Sequence, residues 1–180
     1  SDEKRLLEKK QTALLGLERK IAALTRSAGQ APRMTYFEGA AGLKKIYLSM
    51  MRDAPKGAVR LFLRDEFVWR KEWEFIFKDE WRGTIQRWKK EKGMKTRLLI
   101  NPSALEKSKK KFYDGQKDLT VRYLAREAAV GDFALYIVGE SVAIMSFQKN
   151  DMAGVHIVQR NMAENMTRIF EELWSAAAKK

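Results

Sequence analysis

Phe133-Ala134-Leu135-Tyr136-Ile137-Val138-Gly139-Glu140-Ser141-Val142-Ala143-Ile144-Met145-Ser146-Phe147 is the stretch that decides the fold. Two runs rich in aliphatic, β-branched and aromatic residues are joined by two residues with glycine first, which suits a tight hairpin. Reading outward, residues 119–124 and 154–158 are strands of the same kind, with Lys149-Asn150-Asp151 as a second turn. Four strands thus follow one another with no helix between them. Upstream the pattern changes. Residues 34–38, 58–63 and 94–100 read as strands. They alternate with helical spacing at Leu43, Ile46, Tyr47 and Met50, and at Trp73, Ile76, Phe77, Trp81, Ile85 and Trp88. Gly93 stands where the second of these helices, 72–92, must stop. Ser103 and Glu106 have the spacing of a capping box, opening a helix that runs to about Tyr113. A last helix, 161–177, carries Met162, Met166, Ile169, Phe170, Leu173 and Trp174 on one face. The order β-α-β-α-β-α-β-β-β-β-α predicts one mixed sheet, parallel in part through helical crossovers and extended by antiparallel hairpins, with helices on its faces.

Before this lies a different kind of sequence. Residues 2–26 read as one long helix in which Leu7, Leu14 and Ile21 recur every seven residues, with Leu17 and Leu24 in the alternate seam and Lys10 as its polar member. A helix of that length is marginal alone in water, so a coiled-coil partner is expected, and a homodimer through this seam is the expectation. Residues 27–33, with Gly29 and Pro32, form a linker. The expected division is 1–31, dimerisation helix and linker, and 32–180, globular domain. The chain opens on charged residues in the middle of a helical pattern, which reads as a piece of a longer protein.

The 180 residues are 45% hydrophobic, enough for one core. The absence of cysteine excludes a disulfide scaffold, thiolate zinc sites and cysteine nucleophiles, and fits a cytoplasmic setting. No apolar run is long enough to span a membrane. A net charge of +13 attracts polyanions, but the charges are spread along the chain apart from Lys107-Ser108-Lys109-Lys110-Lys111 and Arg87-Trp88-Lys89-Lys90.

Chemistry-bearing motifs are scarce. His156 is the single histidine. A His-x-Lys followed by four residues and Asp would mark a phosphodiester-cleaving histidine, but Val158 and Ala163 stand at the lysine and aspartate positions. Asp65-Glu66 and Glu171-Glu172 are adjacent pairs that do not converge, so no metal is expected. No phosphate loop or dinucleotide fingerprint occurs, and Glu38-Gly39-Ala40-Ala41-Gly42-Leu43 is a weak glycine turn. The expectation is a chain without catalysis, cofactor or metal.

Two stretches resemble the effector region of TrmB-like transcription regulators. One is Pro32-Arg33-Met34-Thr35-Tyr36-Phe37-Glu38-Gly39 followed by Gly42-Leu43-Lys44-Lys45-Ile46-Tyr47. The other is Ser141-Val142-Ala143-Ile144-Met145-Ser146-Phe147 with the closing Ile169-Phe170-Glu171-Glu172-Leu173-Trp174. The resemblance implies a winged-helix DNA-binding head, which this chain does not contain, then a coiled-coil dimerising helix. A domain of phospholipase-D-like fold follows that has lost its catalytic motif and senses a small molecule. Tyr36, Glu38, Arg64, Asp65, Arg122 and His156, near strand ends, are the candidate effector-pocket residues, and a cationic pocket there would favour an anionic or phosphorylated ligand. Two rival expectations stand beside this one. One is a phosphodiesterase or nuclease on the same fold. The other is a basic nucleic-acid-binding module, suggested by the charge and by tryptophans interleaved with arginine and lysine.

Overall fold

The computed structural model describes residues 32–70 and 79–179, without the side chains of 79–82 and 179. The seam residues Leu7, Leu14, Leu17, Ile21 and Leu24 lie outside the described residues, as does the first part of the predicted helix 72–92.

The strands are β1 (Arg33–Glu38), β2 (Val59–Arg64), β3 (Lys95–Ile100), β4 (Leu119–Tyr123), β5 (Phe133–Val138), β6 (Ser141–Gln148), β7 (Asp151–Val158) and the two-residue β8 (Ala178–Lys179). The helices are α1 (Gly39–Asp53), α2 (Asp79–Glu91), α3 (Ala104–Ser108), α4 (Lys110–Asp114) and α5 (Arg160–Ala176). All eight strands form one sheet in the order β1-β7-β6-β5-β2-β3-β4-β8. β2, β3 and β4 are parallel neighbours, β5 joins β2 antiparallel, and β5-β6-β7 is the predicted meander.

The predicted mixed α/β sheet is therefore present, with one difference in strand placement. β1 does not sit next to the strand that follows it. It runs to the far edge and pairs antiparallel with β7, Arg33 opposite Val158 and Glu38 opposite Ala153. The composition of β1 explains this. A strand carrying Arg33, Thr35, Tyr36 and Glu38 cannot be covered on both faces at low cost, and five of its six residues are exposed. β2 is the opposite case. Alternation of Val59, Leu61 and Leu63 with Arg60, Phe62 and Arg64 promised at least one buried face, and the structure buries every residue from Arg60 to Arg64. Doubly covered strands are what parallel crossovers produce.

Two cores result. On one face α1 packs Leu43, Ile46 and Met50 over Tyr136, Ala143 and Met145, with Phe67, Ile85 and Tyr113 continuing the layer. On the other, Phe170 and Trp174 of α5 lie on Leu61, Leu63, Leu99, Leu135 and Ile137. Turn chemistry sets the boundaries. After α2 the Gly93 N–H reaches the Lys90 carbonyl at 3.1 Å and the Met94 N–H the Lys89 carbonyl at 2.9 Å, the paired bonds of a glycine C-terminal cap, with Gly93 at φ +62°. The β5–β6 hairpin turns on Gly139 at φ +57°.

Gly154 fixes how closely α1 approaches the sheet. A Cβ built there would stand 2.6 Å from Ile46 Cδ1 and 2.8 Å from Leu43 Cδ2. Gly154→Ala is expected to destabilise the chain by about 1–3 kcal/mol through overpacking, read as a lower midpoint in urea unfolding at unchanged slope.

Candidate functional site

β2 and β3 run parallel in register, so Arg60 lies beside Thr96, Phe62 beside Leu98 and Arg64 beside Ile100. Arg60, Phe62, Thr96 and Leu98 line a cavity of about 170 Å³ on the face that α2 and α4 cover, with Ile85 and Lys89 from α2, Phe112 and Tyr113 from α4, and Trp69. Arg60 is buried, at 5% exposure. Its Nε donates to the Tyr136 hydroxyl at 2.8 Å and its Nη2 to the Tyr47 hydroxyl at 2.6 Å. The two phenol rings stack at 4.8 Å and hold the guanidinium against their faces. Burial works to lower the Arg60 pKa, but the two tyrosines outweigh it and raise it, so Arg60 is a cation. Burial pushes the Tyr136 hydroxyl well above its ordinary range, so it stays neutral, and it donates onward to Met51 Sδ at 2.9 Å. Lys89, equally buried, meets Asp118 at 2.6 Å. Burial lowers its pKa, Asp118 opposes that, and the charge on Arg60 adds to it.

Next along β2, Arg64 is handled differently. Its Nη1 donates to Glu106 Oε1 at 2.5 Å and to the Asp65 carbonyl at 2.7 Å, and its Nη2 to the Tyr113 hydroxyl at 2.8 Å. Glu106, fully buried, also accepts from Trp69 Nε1 at 2.9 Å and from the Tyr113 hydroxyl. Only half of the predicted capping box forms. The Glu106 N–H donates to Ser103 Oγ at 3.2 Å, while the Glu106 side chain turns inward to Arg64.

A third polar cluster closes the carboxyl ends of β2 and β3. Asp65 accepts from the Phe67 N–H at 2.9 Å, the Asp132 N–H at 2.8 Å and Arg70 at 3.1 Å, and Arg70 also donates to Asp132 at 2.7 Å. Burial raises the Asp65 carboxyl pKa against these bonds. Asn101 bridges to the Val130 backbone in both directions, at 2.6 and 3.0 Å.

Of the six candidate pocket residues, the structure brings Arg64 and Asp65 together, and of these Arg64 lines the cavity. The other four stand apart. Tyr36 and Glu38 lie on the β1 edge, on the face opposite Thr35 and His156. Arg122 donates to the Trp174 carbonyl at 2.7 Å and stacks 4.7 Å from its ring, on the α5 side. His156 is half-buried on β7 with Nε2 3.2 Å from Ser141 Oγ. Sequence reasoning missed Arg60, Lys89, Thr96, Glu106 and Tyr113. The available signal was Val59-Arg60-Leu61-Phe62-Leu63-Arg64 itself, two arginines inside a strand apolar enough to be central.

No protein-family profile and no curated sequence matches the chain significantly. Solved structures do, and they define the class of the fold as phospholipase-D-like. NucT from Helicobacter pylori is similar at TM-score 0.57 and 10% identity, over 83% of this chain and 99% of that one. Nuc from Salmonella typhimurium, a phospholipase D family member, is similar at TM-score 0.57 and 12% identity, over 83% of this chain and 98% of its own. A particular chromatin protein has a similar fold: TrmBL2, an archaeal chromatin protein with a novel mode of DNA binding, at TM-score 0.56 and 22% identity over 98% of this chain. This chain spans 65% of the TrmBL2 chain.

These likenesses correct one expectation. The sequence leads to the expectation of no catalysis because His156 lacks its lysine and aspartate. The fold is also that of phospholipase D family members and of the phosphatidylserine synthase of Haemophilus influenzae, matched at TM-score 0.54 and 12% identity over 81% of this chain. The exclusion of catalysis from one histidine's neighbours does not stand against that finding. The reason is physical: active sites are assembled across a fold, and spacing around one residue tests only one way of assembling them.

Two outcomes test the site's energetics. Glu106→Ala leaves Arg64 buried and unpaired and is expected to cost about 3–5 kcal/mol in chemical denaturation, part of it recovered when Arg64→Met is added. Burial lowers the His156 pKa below its ordinary 6.5, with Asp53 opposing and Arg33 assisting. The unfolded chain therefore takes up the proton first. The stability contribution is fully present above pH 6.5 and is lost as the pH falls from there through the folded value. Urea titrations of His156→Gln are expected to show a shallower loss below pH 6.5 than wild type.

Proposed function

We propose that this chain is the dimerising and ligand-sensing part of a TrmB-like DNA-associated regulator. The observation that carries the reading is the likeness to TrmBL2, which extends over 98% of the chain. In this reading residues 1–31 pair with those of a second copy through Leu7, Leu14, Leu17, Ile21 and Leu24. Residues 32–180 form the sensor domain, and DNA is read by a head region beyond these 180 residues. The setting is cytoplasmic. Among the described residues no helix is long and apolar enough to cross a membrane. A ligand that prefers one dimer geometry shifts the spacing of the two heads and so the DNA affinity. A coupling of about 1–3 kcal/mol is enough for a several- to 100-fold switch.

Light scattering on the intact chain tests this. Wild type is expected at twice the 20.9 kDa chain mass, and Leu17→Glu with Ile21→Glu at the single-chain mass. A wild-type monomer at micromolar concentration sinks the dimer mechanism.

A second reading is favoured by a specific observation: NucT and Nuc are matched over nearly their whole length. In it the chain cleaves phosphodiesters. Hydrolysis of a chromogenic phosphodiester, lost on His156→Ala, would establish this reading in place of the first.

A further inference from the structure

The cavity beside β2 and β3 holds a positive charge that no carboxylate among the described residues meets. A guanidinium has five N–H donors. Arg60 uses two of them, on Tyr136 and Tyr47, leaving three without a partner among the described residues. Both partners are phenol hydroxyls, and neither is a carboxylate. Lys89 is matched by Asp118 and Arg64 by Glu106, so among the described residues the surplus in the cavity is the single charge of Arg60.

Thr96 makes a second, independent observation. It is Arg60's register partner on β3, lines the same cavity and is 5% exposed. Its Oγ1 is buried without a hydrogen-bond partner, and it is the one such side-chain atom among the described residues. An unsatisfied buried hydroxyl is costly, and native structures reserve such groups for sites with a role. Phe62, Val68, Ile85, Leu98 and Leu119 give the cavity an apolar wall, and Gln86 and Gln116 add polar side chains to its lining. The volume of about 170 Å³ compares with about 150 Å³ for an engineered apolar cavity that holds benzene.

We propose that this cavity binds a small monocarboxylate with an apolar body about the size of one six-membered ring. The carboxylate takes the free N–H donors of Arg60 and the Thr96 hydroxyl, and the apolar body lies against Phe62, Ile85, Leu98 and Leu119. Tyr47 and Tyr136 hold the guanidinium in place before the ligand arrives, which lowers the cost of ordering on binding. One negative charge balances Arg60. A phosphate dianion would carry a second, and among the described residues the other cations of the lining, Arg64 and Lys89, are already paired with Glu106 and Asp118. The site does not coincide with the residues first expected to form a pocket, and of those it includes Arg64 alone. It deepens the sensing reading by naming the ligand class, while standing on the cavity itself.

The probe is benzoate, titrated calorimetrically into the intact chain, with benzamide and inorganic phosphate as comparisons. Benzoate is expected to bind saturably at one site per chain, and benzamide about 10-fold or more weaker. Thr96→Val keeps the side-chain shape and removes only the unpaired hydroxyl, so it folds, and it is expected to weaken benzoate by about 10-fold, the scale of one hydrogen bond to a charged group. Three results overturn the proposal: no saturable benzoate binding to wild type, tighter binding of phosphate than of benzoate, or equal benzoate affinity in Thr96→Val. Benzoate binding that leaves unchanged the DNA affinity of a protein carrying the head region removes the sensing role and leaves the site. Loss of binding removes the site and leaves the dimer mechanism to its own test.

Discussion

The structure depends on how one strand carries two arginines through the interior. β2 is covered on both faces, and Arg60 and Arg64 are buried in it at 5% and 4% exposure. Taking a guanidinium out of water costs several kcal/mol unless its donors are satisfied. The fold meets that cost twice by different means. Arg64 is met by Glu106, Tyr113 and the Asp65 carbonyl, which draws α3 and α4 onto the sheet. Arg60 is met by two stacked phenols, which draws α1 and β5 together around it. The first arrangement is closed in charge and geometry. The second is closed only in part, and the contrast on one strand separates a structural ion pair from a site with capacity to spare.

The fold itself is shared by proteins of different kinds. The same strand-and-helix plan serves an archaeal chromatin protein and members of an enzyme family, so the plan alone does not choose between them. What differs among such proteins is the set of side chains presented on the sheet. Here that set is two tyrosines, a partly satisfied arginine, a paired lysine and an unpaired threonine over β2 and β3, and a closed Asp65-Arg70-Asp132 cluster at the strand ends.

Much of the architecture was legible because it rests on short-range rules. The meander from β5 to β7 follows from its hairpin turns, and the ends of α2 and β5 follow from Gly93 and Gly139. The position of β1 was not legible, because pairing with β7 is a contact between the two ends of the domain and leaves no local trace. Arg60 was hidden for a related reason. Alternation treats an arginine in a strand as outward-facing, and only the position of β2 in the middle of the sheet turns it inward. Glu106 was seen as a cap, since local spacing cannot tell that its carboxylate is claimed by an arginine 42 residues earlier. Polarity near strand ends marks the six candidate residues, yet they are spread from the β1 edge through the central β2 to β4, on opposite faces of the sheet.

The edge position of β1 has a mechanical meaning. Any pull on the chain from its N-terminal side enters the domain at Arg33, the register partner of Val158. Val158 ends β7, and α5 begins two residues later at Arg160. Tension is therefore delivered to a single pair of hydrogen-bonded strands at the sheet's rim, beside the root of the helix that covers one whole core. Peeling β1 away would open that one ladder from the Arg33–Val158 pair toward Glu38–Ala153. The doubly buried β2 and its arginines stand four strands in from that rim.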